Sequence, residues 1–119
     1  MKREIEFYET ISGSCPVSEF LETLDINVVQ KISWTLKLIK ETYIVPKTYF
    51  KKLENTDDIW EVRVKISSNI YRIFSFWDDN NLIILTHGIV KKTQKTPKKE
   101  IKLAESYKND YFRRKKNGS

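Results

Sequence analysis

The chain has 119 residues, 39% hydrophobic and 13% aromatic, a composition that fills one globular domain and is too apolar for a disordered one. No stretch approaches the roughly 20 apolar residues of a membrane span, and a single cysteine, Cys15, excludes an internal disulfide framework. A soluble, cytoplasmic protein without a membrane partner is therefore expected. The net charge of +6 is unevenly spread: residues 1–86 hold 11 Lys and Arg against 13 Asp and Glu, whereas residues 87–119 hold 11 against 3. Positive charge concentrated in the last third of a chain suits contact with a polyanion.

The first element is read at Glu4-Ile5-Glu6-Phe7-Tyr8, where apolar and charged residues alternate with the period of a strand. After a Ser/Gly turn, Pro16 takes a first helical position, and Val17, Phe20, Leu21 and Leu24 follow at helical spacing. Asn27 is placed to cap a second helix with the apolar stripe Val28, Val29, Ile32, Leu36 and Ile39. Beyond Pro46 the period changes to two. Tyr49–Glu54 allows a short strand, and Trp60-Glu61-Val62-Arg63-Val64-Lys65 alternates without error, which points Trp60, Val62 and Val64 at a core and Glu61, Arg63 and Lys65 away from it. Turns at 67–69 and 78–81 separate this strand from Ile70–Trp77 and Leu82–Val90, an antiparallel meander. Thr96-Pro97 reads as a cap followed by the start of a last helix. The residues 113–119 lack apolar partners and read as a frayed basic tail. The predicted order is β-α-α-β-β-β-α: an α+β fold with a small antiparallel sheet, two N-terminal helices and one C-terminal helix, a single domain over residues 1–112.

Candidate chemistry is sparse. One cysteine and one histidine exclude a structural zinc site, no glycine-rich phosphate loop occurs, and no cofactor is implied. Asp57-Asp58 and Asp78-Asp79 fall in turns, where aspartate is favoured for backbone reasons, so no metal site is assigned. Arg63 and Arg72 are less expected. They sit in apolar-rich strands joined by a tight turn, able to bring two fixed, planar cations to one face, as phosphodiester oxygens require; the bland alternative pairs Arg63 with its same-face neighbour Glu61. The densest feature is His87-Gly88-Ile89-Val90-Lys91-Lys92-Thr93-Gln94-Lys95-Thr96-Pro97-Lys98-Lys99, in which lysines leave a strand and enter a helix N-terminus. The helix dipole disfavours cations there, by tenths of a kcal/mol to about 1 each, and favours an anion.

Pro16-Val17-Ser18-Glu19-Phe20-Leu21, Phe50-Lys51-Lys52-Leu53, Trp60-Glu61-Val62-Arg63, Tyr71-Arg72-Ile73-Phe74 and the segment His87–Pro97 occur in order over nearly the whole chain. Together they resemble the phage-derived HigB-like branch of the RelE/ParE toxin superfamily. The resemblance implies a β-sheet with two N-terminal helices and a C-terminal helix, ribosome-dependent cleavage of mRNA, and neutralisation by a cognate helix-turn-helix antitoxin. It also implies roles for Arg63, Arg72, Lys91, Lys92 and Lys95. Relatives of the RelE type carry two basic residues flanking one apolar residue where this chain has Glu61, Val62 and Arg63, so the general base is left open. A C-terminal tyrosine of some relatives has Tyr107 and Tyr111 as its available counterparts.

RNA cleavage by attack of the substrate's own 2′-hydroxyl needs a base, cations for the developing phosphorane charge, and an acid for the leaving 5′-oxygen. Arg63 and Arg72 fit the electrostatic role and not proton transfer. Lys92, Lys95, His87 and Glu61 are the candidate proton carriers, and Lys65, Lys91, Lys98 and Lys99 the candidate RNA contacts. Two other functions compete: a gyrase-inhibiting toxin of the ParE kind, and a noncatalytic module that occupies RNA or a host factor.

Overall fold

Alternation and register build the sheet from its third strand outward. The computed structural model describes residues 2–118, with strands β1 (Glu4–Phe7), β2 (Phe50–Lys52), β3 (Trp60–Ile66), β4 (Asn69–Trp77) and β5 (Leu82–Lys91), and helices α1 (Pro16–Glu22), α2 (Ile26–Glu41) and α3 (Lys98–Lys116). The five strands form one sheet in the order β1-β5-β4-β3-β2. The meander β3-β4-β5 and the edge strand β2 pair antiparallel as expected, whereas β1 lies parallel to β5, with Phe7 opposite Leu85. The sheet is therefore mixed, not purely antiparallel. A parallel partner requires a long crossover, which here is the α1–α2 pair and strands β2 to β4.

The period of two sends alternate side chains to two separate cores. Val62, Val64, Ile73, Ile83 and Leu85 pack with Val17, Val28, Ile32 and Ile39 of α1 and α2. Ile59, Phe74, Phe76 and Ile84 pack on the other face with Tyr8 and with Ala104 of α3. Each Val, Leu, Ile or Phe side chain among them, fully buried, contributes roughly 1.5–3 kcal/mol. Gly88 of β5 is needed for the first of these contacts: a Cβ there would lie 2.3 Å from the Phe20 ring, so α1 approaches the sheet this closely only over a bare backbone.

Three local expectations change. Asn27 does not cap α2: Asp25 holds the extended N-cap position, and no side-chain cap bond forms. Pro97 rather than Thr96 precedes α3, because the Thr96 hydroxyl is drawn to the sheet and donates to Glu61 Oε2 at 2.9 Å. The basic segment read as a frayed tail is helical through Lys116. Its cations find partners within the helix and beyond it: Arg114 bonds Asp110 one turn earlier and the Glu9 carbonyl, and Lys115 Nζ bonds both Asp78 oxygens at 2.7 and 2.8 Å. Ser119 lies outside the described residues.

Candidate functional site

Strand geometry alone gathers the charged residues. Glu61, Arg63 and Lys65 share the α3 face of β3, and the register sets Arg63 directly opposite Arg72 on β4. Two guanidinium groups side by side repel, and Glu61 answers both. Its Oε1 accepts from Arg63 Nε at 3.1 Å and lies 3.1 Å from Arg63 Nη2, while Oε2 lies 3.2 Å from Arg72 Nε. Glu61 and Arg72 are both 0% exposed. The pairing of Arg63 with Glu61 weighed as the bland alternative is thus present, inside a larger cluster that keeps one uncompensated positive charge.

This cluster ties the lysine-bearing loop after β5 to the sheet. Arg72 Nη2 donates to the carbonyls of Thr93 and Gln94, the latter at 2.9 Å. Arg63 donates to Gln94 twice, to Oε1 at 3.1 Å and to the carbonyl at 3.2 Å. The loop turns its backbone carbonyls inward, and the side chains of Lys91, Lys92 and Lys95 are left exposed. Arg72 lies beneath this cover, and its Nη1 is buried without a hydrogen-bond partner. Burial pushes the Arg72 pKa down, as does Arg63, against the pull of Glu61. Arginine stays charged even so. The Arg63 side chain, 16% exposed, reaches the surface at the loop's edge.

His87 stands apart. Across the sheet Glu61 faces Phe74, and Phe74 faces His87, so a whole strand separates the imidazole from the carboxylate. Thr86 is an extra residue in β5, since Phe74 pairs with His87 and Ser75 with Leu85. Consecutive side chains of a regular strand point to opposite faces; the bulge lets the Thr86 hydroxyl come within 3.0 Å of His87 Nδ1. His87 Nε2 lies 3.1 Å from Glu100 Oε1 of α3, and the ring stacks on Phe74 at 4.9 Å with Tyr107 edge-on at 5.8 Å. A neutral imidazole with its proton on Nε2 donates to Glu100, and the Thr86 hydroxyl, which also donates to the Phe74 carbonyl at 3.2 Å, shares its one proton between that carbonyl and Nδ1. Burial lowers its pKa, opposed by Glu100. With 6% exposure and both nitrogens engaged, His87 presents no free proton-transfer group in this conformation.

Of the remaining candidates, Lys65, Lys98 and Lys99 are exposed, the last two in the first turn of α3. Tyr111 donates to Asp78 Oδ2 at 2.6 Å, and Tyr107 packs on Tyr8, so both tyrosines hold α3 in place. The turn aspartates act on backbone and neighbours: Asp79 accepts from the amides of Asn81 and Leu82, and Asp58 accepts from the Trp60 indole at 3.0 Å. No group of three or more His, Cys, Asp or Glu side chains suited to a metal ion occurs among the described residues. Among the same residues, no helix is long and apolar enough to cross a membrane. Sequence reasoning missed Gln94 and Thr96, which fasten the loop. Their only signal is being uncharged hydrogen-bonding residues within a run of lysines.

A five-stranded mixed sheet with two helices on one face, a C-terminal helix on the other and a cation cluster at the β5–α3 junction defines a small α+β protein of the RelE-like fold. The family model described as Phage derived protein Gp49-like (DUF891) matches residues 19–109, from α1 into α3 and including the entire cluster. The chain belongs to this phage-derived Gp49-like family, which is associated with RelE-like toxins. No curated protein matches it.

Proposed function

We propose that this protein is the toxin of a type II toxin–antitoxin pair and arrests growth as a ribosome-dependent endoribonuclease of the HigB kind. The observation that carries the reading is the emergence of Arg63, held by Glu61 and Gln94, where the exposed lysines 91, 92 and 95 leave the sheet. Family membership supports a toxin, and the cation cluster supports a phosphodiester substrate.

In this mechanism the substrate's 2′-hydroxyl attacks the adjacent phosphorus and the 5′-oxygen departs. Arg63 stabilises the charge that develops on the phosphorane oxygens, as a preorganised donor fork. Lys92 and Lys95 approach the same phosphate from the loop and serve as the proton carriers. Lys65, Lys91, Lys98 and Lys99 contact flanking phosphates. Arg72 acts as a positioning residue, through the carbonyls of Thr93 and Gln94. Glu61 serves as counter-charge to two arginines and not as the base. A site assembled from surface cations has little power to orient a flexible strand, and the ribosome supplies that orientation. A cognate helix-turn-helix antitoxin is the partner that keeps the activity in check.

Purified protein incubated with one mRNA, naked or under translation on ribosomes, tests the reading. Cutting of the translated form, with little of the naked form, is expected. Cutting of neither, with broken DNA appearing when gyrase is added, would replace it with the gyrase-directed alternative.

A further inference from the structure

A groove of about 920 Å³ opens beside the arginine cluster, between the edge strand β2, the loop after β5 and the start of α3. Its charge is one-sided. Lys47, Lys51, Lys52 and Lys95 line it against one carboxylate, Glu54. Among the described residues Lys47, Lys51 and Lys95 form no ion pair, and Lys52 meets Asp58 only at 3.7 Å with both side chains about half exposed. Its walls also carry apolar surface from both cores, Phe50 and Trp60 from one and Leu53 and Ile101 from the other. Trp60 is a fixed platform: its ring lies 4.9 Å from Phe50, and its indole N–H is held by Asp58. The groove is continuous with the cluster, because Gln94 and Thr96 line it and also bond Arg63 and Glu61.

Ammonium groups along a channel with an aromatic wall are the recurring design for single-stranded nucleic acid, in which cations follow the phosphates and bases pack on rings. We infer that this groove is the track for the RNA strand flanking the cleavage point, with Lys47, Lys51 and Lys52 on its phosphates and Trp60 against a base. The inference rests on the nuclease reading and adds to it a set of strand-holding residues on β2 and the segment before it. An acidic protein segment is the other polyanion that would suit the lysines. It would cover the aromatic wall only with apolar side chains of its own, and it does not account for continuity with Arg63.

The test uses the full chain, a fluorescent single-stranded 2′-O-methyl RNA 12-mer that cannot be cut, and fluorescence anisotropy between 50 and 200 mM salt. Each phosphate contact on a single strand contributes about −0.7 to the slope of log K against log salt. The variant Lys47→Ala/Lys51→Ala/Lys52→Ala is expected to make the slope shallower by about 2 and to weaken binding at least tenfold. Trp60→Leu is expected to weaken binding severalfold with the slope unchanged. Circular dichroism melts identify variants that fold, and Lys→Gln replacements substitute for any that do not. An unchanged slope and affinity in the folded triple variant overturns the inference, as does loss of binding to a fluorescent glutamate-rich 12-mer peptide with RNA binding intact. If the wild-type protein binds through these lysines yet cuts no translated mRNA, the groove stands and the nuclease reading falls.

Discussion

Glu61 and Arg72 lie 3.2 Å apart on adjacent strands, both excluded from solvent, and through them the lysine-bearing loop is held to the sheet. The cluster is asymmetric, one carboxylate for two guanidinium groups. Removing the carboxylate leaves like charges facing each other in a desolvated place, a loss of about 3–5 kcal/mol where one partner of a buried pair is deleted. Glu61→Ala is therefore expected to lower the melting temperature by about 10 °C or more. Arg63→Ala, at the surface edge, is expected to cost at most about 1–2 kcal/mol. Equal melts for the two variants would contradict this ranking.

Arg72→Lys separates charge from geometry. Lysine keeps the positive charge but cannot reach Glu61 and two carbonyls with a planar fork. Backbone ¹⁵N relaxation is expected to show lowered order parameters for residues 92–96, while the amides of β4 stay protected from exchange. Unchanged order parameters in the loop would mean that Arg72 does not hold it.

His87 sets a pH dependence. Its folded pKa lies below the ordinary value of 6.5, chiefly through burial, so below pH 6.5 the unfolded chain binds a proton that the folded chain resists. Its contribution is thus present above about pH 6.5 and is lost as pH falls from there through the lowered folded value. Urea midpoints of the wild type are expected to drop between pH 7 and pH 5. In His87→Phe, which keeps the stack on Phe74, the drop should be much smaller. Identical pH profiles would contradict the assignment.

The C-terminal helix is pinned at two carboxylates. The Tyr8 hydroxyl donates to Asp110 Oδ2 at 2.5 Å, and Tyr111 and Lys115 hold Asp78. The bond from Tyr8 holds Asp110 below the usual carboxylate range, and for Asp78 the bonds from Lys115 and Tyr111 outweigh a burial that pushes the other way. These groups stabilise the fold above about pH 3.8, and that stability is lost as pH falls through their lowered values. Burial and Asp110 push the Tyr8 phenol up to about 12, so its contribution is complete below pH 10 and is lost as pH rises through 12. Tyr8→Phe is expected to cost about 1–2 kcal/mol and to free the last turns of α3 for hydrogen exchange.

Gly88→Ala places a methyl group where the Phe20 ring now lies, 2.3 Å away. The ring must move, and overpacking of this kind costs about 1–3 kcal/mol. Gly88→Ala combined with Phe20→Leu is expected to recover part of the loss, which a simple strand-propensity effect would not do.

The strands and helices were legible because each carries its own period, most plainly Trp60–Lys65 and the stripe from Val28 to Ile39. The convergence of Arg63 and Arg72 was legible too, since a short turn fixes the register of β3 against β4. What escaped depends on contacts distant in sequence. β1 finds β5 across more than 70 residues, and nothing in Glu4–Phe7 marks a parallel partner. Thr96 reads locally as a cap, yet a buried carboxylate 35 residues away competes for its hydroxyl and wins. The burial of Arg72 under Thr93 and Gln94 follows from where the loop folds, which no spacing encodes. The segment after Asp110 looked frayed because its partners, Asp78 and the Glu9 carbonyl, lie in other elements.

Brief expression of the wild-type chain and of Arg63→Ala, followed by sequencing of newly formed RNA 5′ ends, tests the proposed activity most directly. New ends confined to translated reading frames in the wild type, reduced by two orders of magnitude or more in Arg63→Ala at equal protein level, are expected. Growth arrest by both chains with no new ends in either would contradict it.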